Sequence, residues 1–296
     1  LQAPARTAPE GLRAAARDGV YPGLTRETQG RWQGPFFFIQ LADTQFGMFN
    51  SDRSWEKETE NFTRAVEQIN RLKPRFVIVC GDLVNQAPGG KVRAEQVREF
   101  QRIAGTIDPS IPLVCVSGNH DVGNRPTASS LAAYRADFGD DRFLFWAGGV
   151  AGLVVNSSLY YDPAGAPEEQ AAQEAWLEKE LAAAKAANPK HLLLFQHHSW
   201  FVQKADEPDQ YFNIPRARRD PALALLHRAG VRAVFAGHYH RNAHGRDGDL
   251  EMVTNGPVGK PLGKDPSGLR IVKVYEDRIE HDYYPLDAVP EKVELR

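Results

Sequence analysis

The chain has 296 residues, 42% of them hydrophobic and 25% charged, an ordinary composition for a soluble protein and enough length for one large α/β core. Its 36 basic and 38 acidic residues leave a formal net charge of −2, which excludes a global field that would draw it to nucleic acid or an anionic membrane. The longest apolar stretches, around Val150–Val155 and His191–Phe195, fall far short of the ~20 residues a membrane-spanning helix needs.

Residues 1–32 carry Ala, Arg, Pro and Gly without a sustained period and read as an N-terminal extension to a single domain over residues 33–296. Strand-like and helical runs then alternate: Phe36–Leu41, the helical Glu56–Lys73, Phe76–Cys80, the helical Arg93–Ile107, and Leu113–Val116 within the apolar run Ile111–Val116. Such alternation predicts βαβ crossovers and a largely parallel sheet. Cys80 and Cys115 lie inside these runs, where a thiol behaves as a small buried hydrophobe and not as a disulfide partner. Nothing demands an oxidising compartment, so a cytoplasmic protein is expected; a first residue of Leu1 leaves a removed leader, and with it a secreted or periplasmic placement, open.

The second half reads differently. Phe143–Trp146 and Leu153–Asn156 are too close for a crossover helix, while Glu168–Ala187 is a helical run stopped by Asn188-Pro189. Strand Leu192–Gln196, helix Asp220–Ala229 closed by Gly230, and strand Ala233–Phe235 follow, with Arg216–Arg219 expected as the solvated start of that helix. Met252–Thr254, Arg270–Tyr275 and Ile279–Tyr284 read as antiparallel strands ending in a hairpin. Two sheets packed face to face, with helices outside both, accommodate this order.

Five predicted strands end in residues of metal-ligand type: Asp43-Thr44-Gln45, Gly81-Asp82, Gly118-Asn119-His120-Asp121, His197-His198 and Gly237-His238-Tyr239-His240. Any one of them has a bland explanation as a helix cap or a core histidine. Caps and core histidines have no reason to recur at one edge of a sheet, so the coincidence points to a shared site. On an extended segment His238 and His240 point the same way and reach two adjacent metal ions. Asp82, in a tight turn after Gly81, can bridge both with its two oxygens.

These five blocks, in this order over roughly residues 35–286, resemble the calcineurin-like metallophosphoesterases, whose pattern is Asp-x-His, Gly-Asp-x-x, Gly-Asn-His-Asp or Glu, a lone His, and Gly-His-x-His. The resemblance implies an α/β fold, a four-layer α/β/β/α sandwich of two mixed β-sheets flanked by helices. It also implies a dinuclear site of divalent or trivalent ions (Mn, Fe, Zn or Mg). One metal takes Asp43, Asp82 and His240 and the other Asp82, Asn119, His197 and His238, while His120 serves as general acid with Asp121 orienting it. Gln45 departs from the pattern, standing where most members have His. A carboxamide oxygen is a harder ligand than imidazole, so the first metal is expected to be held more weakly and to be Mn or Mg, unless Gln45 holds a water or substrate oxygen instead.

The segments Ala42-Asp-Thr-Gln-Phe-Gly47, Tyr211-Phe-Asn213 and Gly237-His-Tyr-His-Arg-Asn242 are similar to the Asp-x-Gln branch of calcineurin-like phosphoesterase domain-containing proteins found in animals, to which serine/threonine phosphatase activity is assigned. The expected reaction is hydrolysis of a phosphate monoester by a water or hydroxide held between two metals, on a phosphoprotein or a small phosphate ester. A small phosphodiester is the alternative substrate. A decayed metal-binding scaffold is the alternative to an enzyme, against which His120 and Asp121 argue, since neither ligates. With no basic stripe or interleaved aromatics, nucleic acid is not expected as a partner, nor is a membrane. His198, Arg125, Tyr239 and Arg241 are the candidate substrate contacts.

Overall fold

The computed structural model describes residues 12–296. In chain order its elements are α1 (Arg26–Gln29), β1 (Phe36–Leu41), α2 (Glu56–Leu72), β2 (Val77–Cys80), α3 (Arg93–Ala104), β3 (Leu113–Val116), α4 (Asn119–Val122), α5 (Ala128–Phe138), β4 (Phe143–Ala147), β5 (Val150–Val154), α6 (Ser158–Tyr161), α7 (Pro167–Ala186), β6 (Leu192–Phe195), α8 (Arg216–Ala229), β7 (Ala233–Ala236), β8 (Ala243–Asp247), β9 (Leu250–Thr254), β10 (Gly268–Val274) and β11 (Ile279–Pro285). One sheet runs β11-β10-β1-β2-β3 and the other β4-β5-β6-β7-β9-β8. Both are mixed. β1, β2 and β3 are parallel with β10 and β11 antiparallel at one side, and the parallel run from β5 through β9 is flanked by antiparallel β4 and β8.

The short apolar runs explain why the strands show no period-two polarity: both faces of each sheet are covered. Along β1 and β2, Phe38, Ile78 and Cys80 turn toward the opposite sheet, while Ile39, Leu41, Val77 and Val79 turn toward the helices. β6 and β7 do the same, with Leu193, Phe195 and Phe235 facing inward and Leu192, Leu194 and Val234 facing α7 and α8. Three apolar cores result, separating four layers of α/β/β/α. The middle core is aromatic: Phe38 stacks on Phe76 at 4.7 Å and meets Phe235 edge-on at 5.4 Å, and Phe195 stacks on Phe235 at 5.5 Å.

The two open edges of this sandwich close in different ways. Residues 12–32 drape over the β3/β4 edge, where the Tyr21 hydroxyl donates to the Leu113 carbonyl at 2.8 Å and the Trp146 amide to that of Leu24 at 2.8 Å. Residues 1–11 lie outside the described residues. At the other edge a polar network joins Arg270 on β10 and His281 on β11 to Glu251 on β9 and His244 on β8.

Three readings from the sequence change. β5 begins at Val150, immediately after the Gly148-Gly149 turn, not at Leu153. β8 and α5 carry no clear polarity period and were not expected as elements. Arg219 is not solvated: it is fully buried at the start of α8, donating to the carbonyls of Trp200 (3.2 Å) and Glu207 (2.5 Å). No helix among the described residues is long and apolar enough to cross a membrane.

Candidate metal centre

The carboxyl ends of β1, β2, β3, β6 and β7 meet at one side of the sandwich, where their polar residues are buried together. Ladder-like bonds continue past the strands and stitch the ends: Asp43 N–H to the Gly81 carbonyl (2.9 Å), Gln45 N–H to that of Asp82 (2.9 Å), and Gly237 N–H to that of His197 (3.0 Å). Close approach fixes two residue types. A Cβ at Gly118 lies 2.2 Å from the Asp82 amide nitrogen, and one at Gly81, whose φ is +82°, lies 2.4 Å from the His197 ring.

Asp43, Asp82 and His240 offer ligand atoms within 4.8 Å of one another, and so do Asp82, His197 and His238. Asp82 belongs to both groups, and the Asn119 Oδ1 lies 3.0 Å from the His197 Nε2. The His238–His240 segment is not extended as expected. Both residues lie in the left-handed region, with φ of 68° and 53°, and this turn, not a pleat, sends the two rings to different groups. Asp43 (51°), Gln45 (40°) and Asp82 (52°) share that conformation, so half of the ten non-glycine positive-φ residues described lie here.

Each imidazole in the centre gives one nitrogen to a main-chain carbonyl, which can only accept, so that nitrogen carries the proton. His197 Nδ1 donates to Cys80 (2.8 Å), His240 Nδ1 to Lys260 (2.6 Å) and His238 Nε2 to Tyr211 (3.1 Å). The lone pairs left over belong to His197 Nε2, His240 Nε2 and His238 Nδ1. A ligand histidine needs just this second hydrogen bond to fix its tautomer. The Gln45 amide nitrogen donates to Asn85 Oδ1 at 3.1 Å, leaving its Oε1 buried and without a partner. These donors fit a pair of hard or borderline cations.

The electrostatics agree. Burial alone pushes a carboxyl up, yet the imidazoles of His197 and His120 hold Asp82 well below the usual carboxylate range. Burial likewise lowers an imidazole, but Asp82 overrides it and raises His197 to about 9. Burial, with the charge of His197 next, takes His238 down to about 3. Asp82 is thus the focus of negative charge in the centre, the place a cation would occupy.

His120 and Asp121 part company. The His120 Nδ1 donates to the Asn85 carbonyl at 2.6 Å, whereas the Asp121 carboxylate accepts from the backbone amides of Gly118 (2.8 Å), Leu83 (3.0 Å) and Val84 (3.3 Å). Asp121 therefore clamps two loops and does not orient the His120 ring; the orienting group is Asn85. Asn85 is itself tied to Asp52 at 2.8 Å and carries Gln45 on its Oδ1. Its place three residues after Asp82 was the one sequence signal for it.

The candidate substrate contacts divide as well. His198 has no exposed surface: it sits behind His238, with ring centroids 4.2 Å apart, stacks on Tyr161 at 4.8 Å and pairs with Ser157. It lines no mouth. Arg125 is exposed and engaged by Asp162 at 2.8 Å. Tyr239 and Arg241 alternate with His238 and His240 along the chain, and the Arg241 guanidinium lies 4.9 Å over the Tyr239 ring and 5.8 Å from that of Phe212.

Two mixed sheets with a shared-carboxylate pair of His-rich groups at their strand ends define a phosphoester hydrolase of the two-metal type. The chain belongs to the calcineurin-like phosphoesterase family, whose model matches residues 38–242. It is 44% identical to the serine/threonine-protein phosphatase CPPED1 of Danio rerio over 96% of each chain. It is 42% identical to CPPED1 of Homo sapiens over 94% of this chain and 92% of that one. A solved dimetal phosphatase from Danio rerio shares the fold, with a TM-score of 0.60 and 18% identity over 86% of this chain and 97% of that chain.

Proposed function

We propose that this protein is a phosphomonoesterase acting on phosphoserine or phosphothreonine in proteins, or on small phosphate esters of similar shape. Asp43, Gln45, Asp82 and His240 would hold one metal ion, and Asp82, Asn119, His197 and His238 the other. When bound, two such ions supply Lewis-acid activation of water and neutralise the phosphoryl oxygens. Asp43 and Asp82 are the only carboxylates in the ligand set, so two dications leave a local charge of about +2, the attraction for phosphate that a net charge of −2 cannot give. The buried oxygen of Gln45 favours Mn or Mg at its site over softer ions.

This chain's own part is to hold and protonate. The Asn85 carbonyl fixes the His120 ring through Nδ1, so Nε2 is the atom that gives a proton to the departing alkoxide. Asp121 keeps the Gly118 turn against the β2 loop, which holds His120 where its main-chain amide meets Asp82 at 2.8 Å.

The observation that carries this reading is the single pattern across the ligand histidines, one nitrogen on a carbonyl and one lone pair free. The test is turnover of an aryl phosphate and of its bis-aryl diester, measured before chelation, after it, and after return of Mn. Monoester activity lost and regained, at least about 10-fold above diester activity, is the expected result; equal or greater diester activity would sink the monoesterase reading.

A further inference from the structure

Tyr211 is one of three large apolar or aromatic residues exposed among the described residues, at 48%, and it stands beside the metal centre. The segment bearing it, between β6 and α8, is braced from within. The Glu207 carboxylate accepts from the amides of Val202 (2.7 Å) and Gln203 (2.9 Å) and from the Asn213 side chain (2.7 Å). Arg219, wholly buried, donates to the Trp200 and Glu207 carbonyls, and the Ile214 amide returns the chain to Ser199 at 3.0 Å. A phenol presented on so fixed a backbone keeps its place when a ligand arrives.

Its surroundings are those of the site. The Tyr211 carbonyl takes the His238 Nε2–H at 3.1 Å, its ring centroid lies 4.9 Å from that of His238, and it meets Tyr161 edge-on at 6.3 Å. With its ring against His238, whose own ring lies 5.0 Å from that of His197, the phenol borders the metal centre. A neutral phenol is a hydrogen-bond donor of the kind a dianionic phosphoryl group accepts from, and charge-assisted bonds of that type are strong.

We infer that Tyr211 is a substrate-positioning residue: its hydroxyl donates to a phosphoryl oxygen of the bound ester, and the exposed face of its ring walls the carbon skeleton of the leaving group. This rests on the phosphomonoesterase reading above. It also gives the main chain and the side chain of one residue separate tasks, the carbonyl setting the His238 tautomer and the hydroxyl holding substrate.

Substitution separates the two, because the carbonyl survives any side-chain change. In the Mn-loaded full chain, Tyr211→Phe is expected to retain metal content. It should weaken binding of inorganic phosphate, read by calorimetry, by about 10-fold, and lower kcat/KM on an aryl phosphate by a similar factor. Tyr211→Ala should raise KM further, since the wall goes too, again with metal retained. Phosphate binding by Tyr211→Phe equal to that of the unsubstituted protein would overturn the inference, as would loss of metal from either variant. Unsubstituted protein that binds phosphate through Tyr211 yet hydrolyses no ester would instead overturn the phosphomonoesterase reading alone. Metal-loaded protein that neither binds phosphate nor turns over would overturn both.

Discussion

Two clusters in this molecule have nearly the same composition and opposite character. Asp82 with His197 and His238 lies at the strand ends, and Glu251 with His244 and His281 closes the β8/β11 edge; in each, three ligand atoms lie within 4.8 Å. In the first, the outer nitrogen of each ring donates to a carbonyl and the inner lone pair is free. In the second, Arg270 donates to the His281 Nδ1 at 2.9 Å, so the proton of a neutral ring sits on Nε2, the atom that faces Glu251. Arg246 adds a guanidinium 3.2 Å from the same Glu251 oxygen. The cation is already present there, as arginine. Composition therefore does not make a metal site; tautomer and uncompensated negative charge do.

The largest effect that bears on this contrast is on metal content. Asp82→Asn is expected to lower metal content and to reduce turnover by about 10⁴-fold or more, because a carboxamide offers one neutral oxygen where two charged ones were shared. Glu251→Gln is expected to leave metal content unchanged. Elemental analysis of the two proteins decides, and a metal ion lost from Glu251→Gln would break the comparison. Next in size is the proton donor. His120→Asn should cost about 10²–10⁴-fold in kcat on alkyl phosphates and less on aryl phosphates with good leaving groups. Asn85→Ala, which keeps the carbonyl but frees Gln45 and the tie to Asp52, should cost about 10–100-fold with no such dependence on leaving group.

The smallest effect is on stability. Burial alone would raise the Glu251 carboxyl, but the imidazoles of His281 and His244 bring it from 4.5 to about 2. A lowered carboxyl stabilises the fold fully above its unfolded value, and the contribution disappears as pH falls from 4.5 toward about 2. Discounted for the solvent screening of its exposed partners His244 and Arg246, this amounts to about 1–2 kcal/mol, with Arg270 on β10 sharing the field. Unfolding curves of the unsubstituted protein and Glu251→Gln should converge between pH 4 and pH 2 and differ at pH 6; parallel curves at every pH would remove the role.

The sequence carried the layered fold because the alternation of strand and helix, and strands apolar on both faces, leave little choice of architecture. The candidate ligands stand out in it because they recur at strand ends in a fixed order. It did not carry the partners of those residues. Asn85, Ser157 and Tyr211 lie in irregular segments, where no period marks a side chain as facing inward, and main-chain carbonyls such as those of Cys80 and Lys260 have no sequence signal at all. Adjacency to His120 suggests a pair at Asp121, but the turn at Gly118 points its carboxylate at backbone amides instead. A run of arginines is usually solvated, and only the distant acceptors of Arg219 explain its burial.

The left-handed backbone at Asp43, Gln45, Asp82, His238 and His240 also bears on how this site can be dismantled. Each such residue costs on the order of 1 kcal/mol to hold, and Asn, Asp and Gly bear the conformation best while β-branched residues bear it worst. Replacing Asp43 with Asn removes a charge and keeps the turn. Replacing it with Val removes the charge, takes away the acceptor of the His238 amide and also forces the chain to move. Subtracting one variant from the other separates conformational cost from lost ligation. By the same logic, a version of this protein drifting away from catalysis could lose its ligands to asparagine or glycine and still look, in outline, like an intact enzyme.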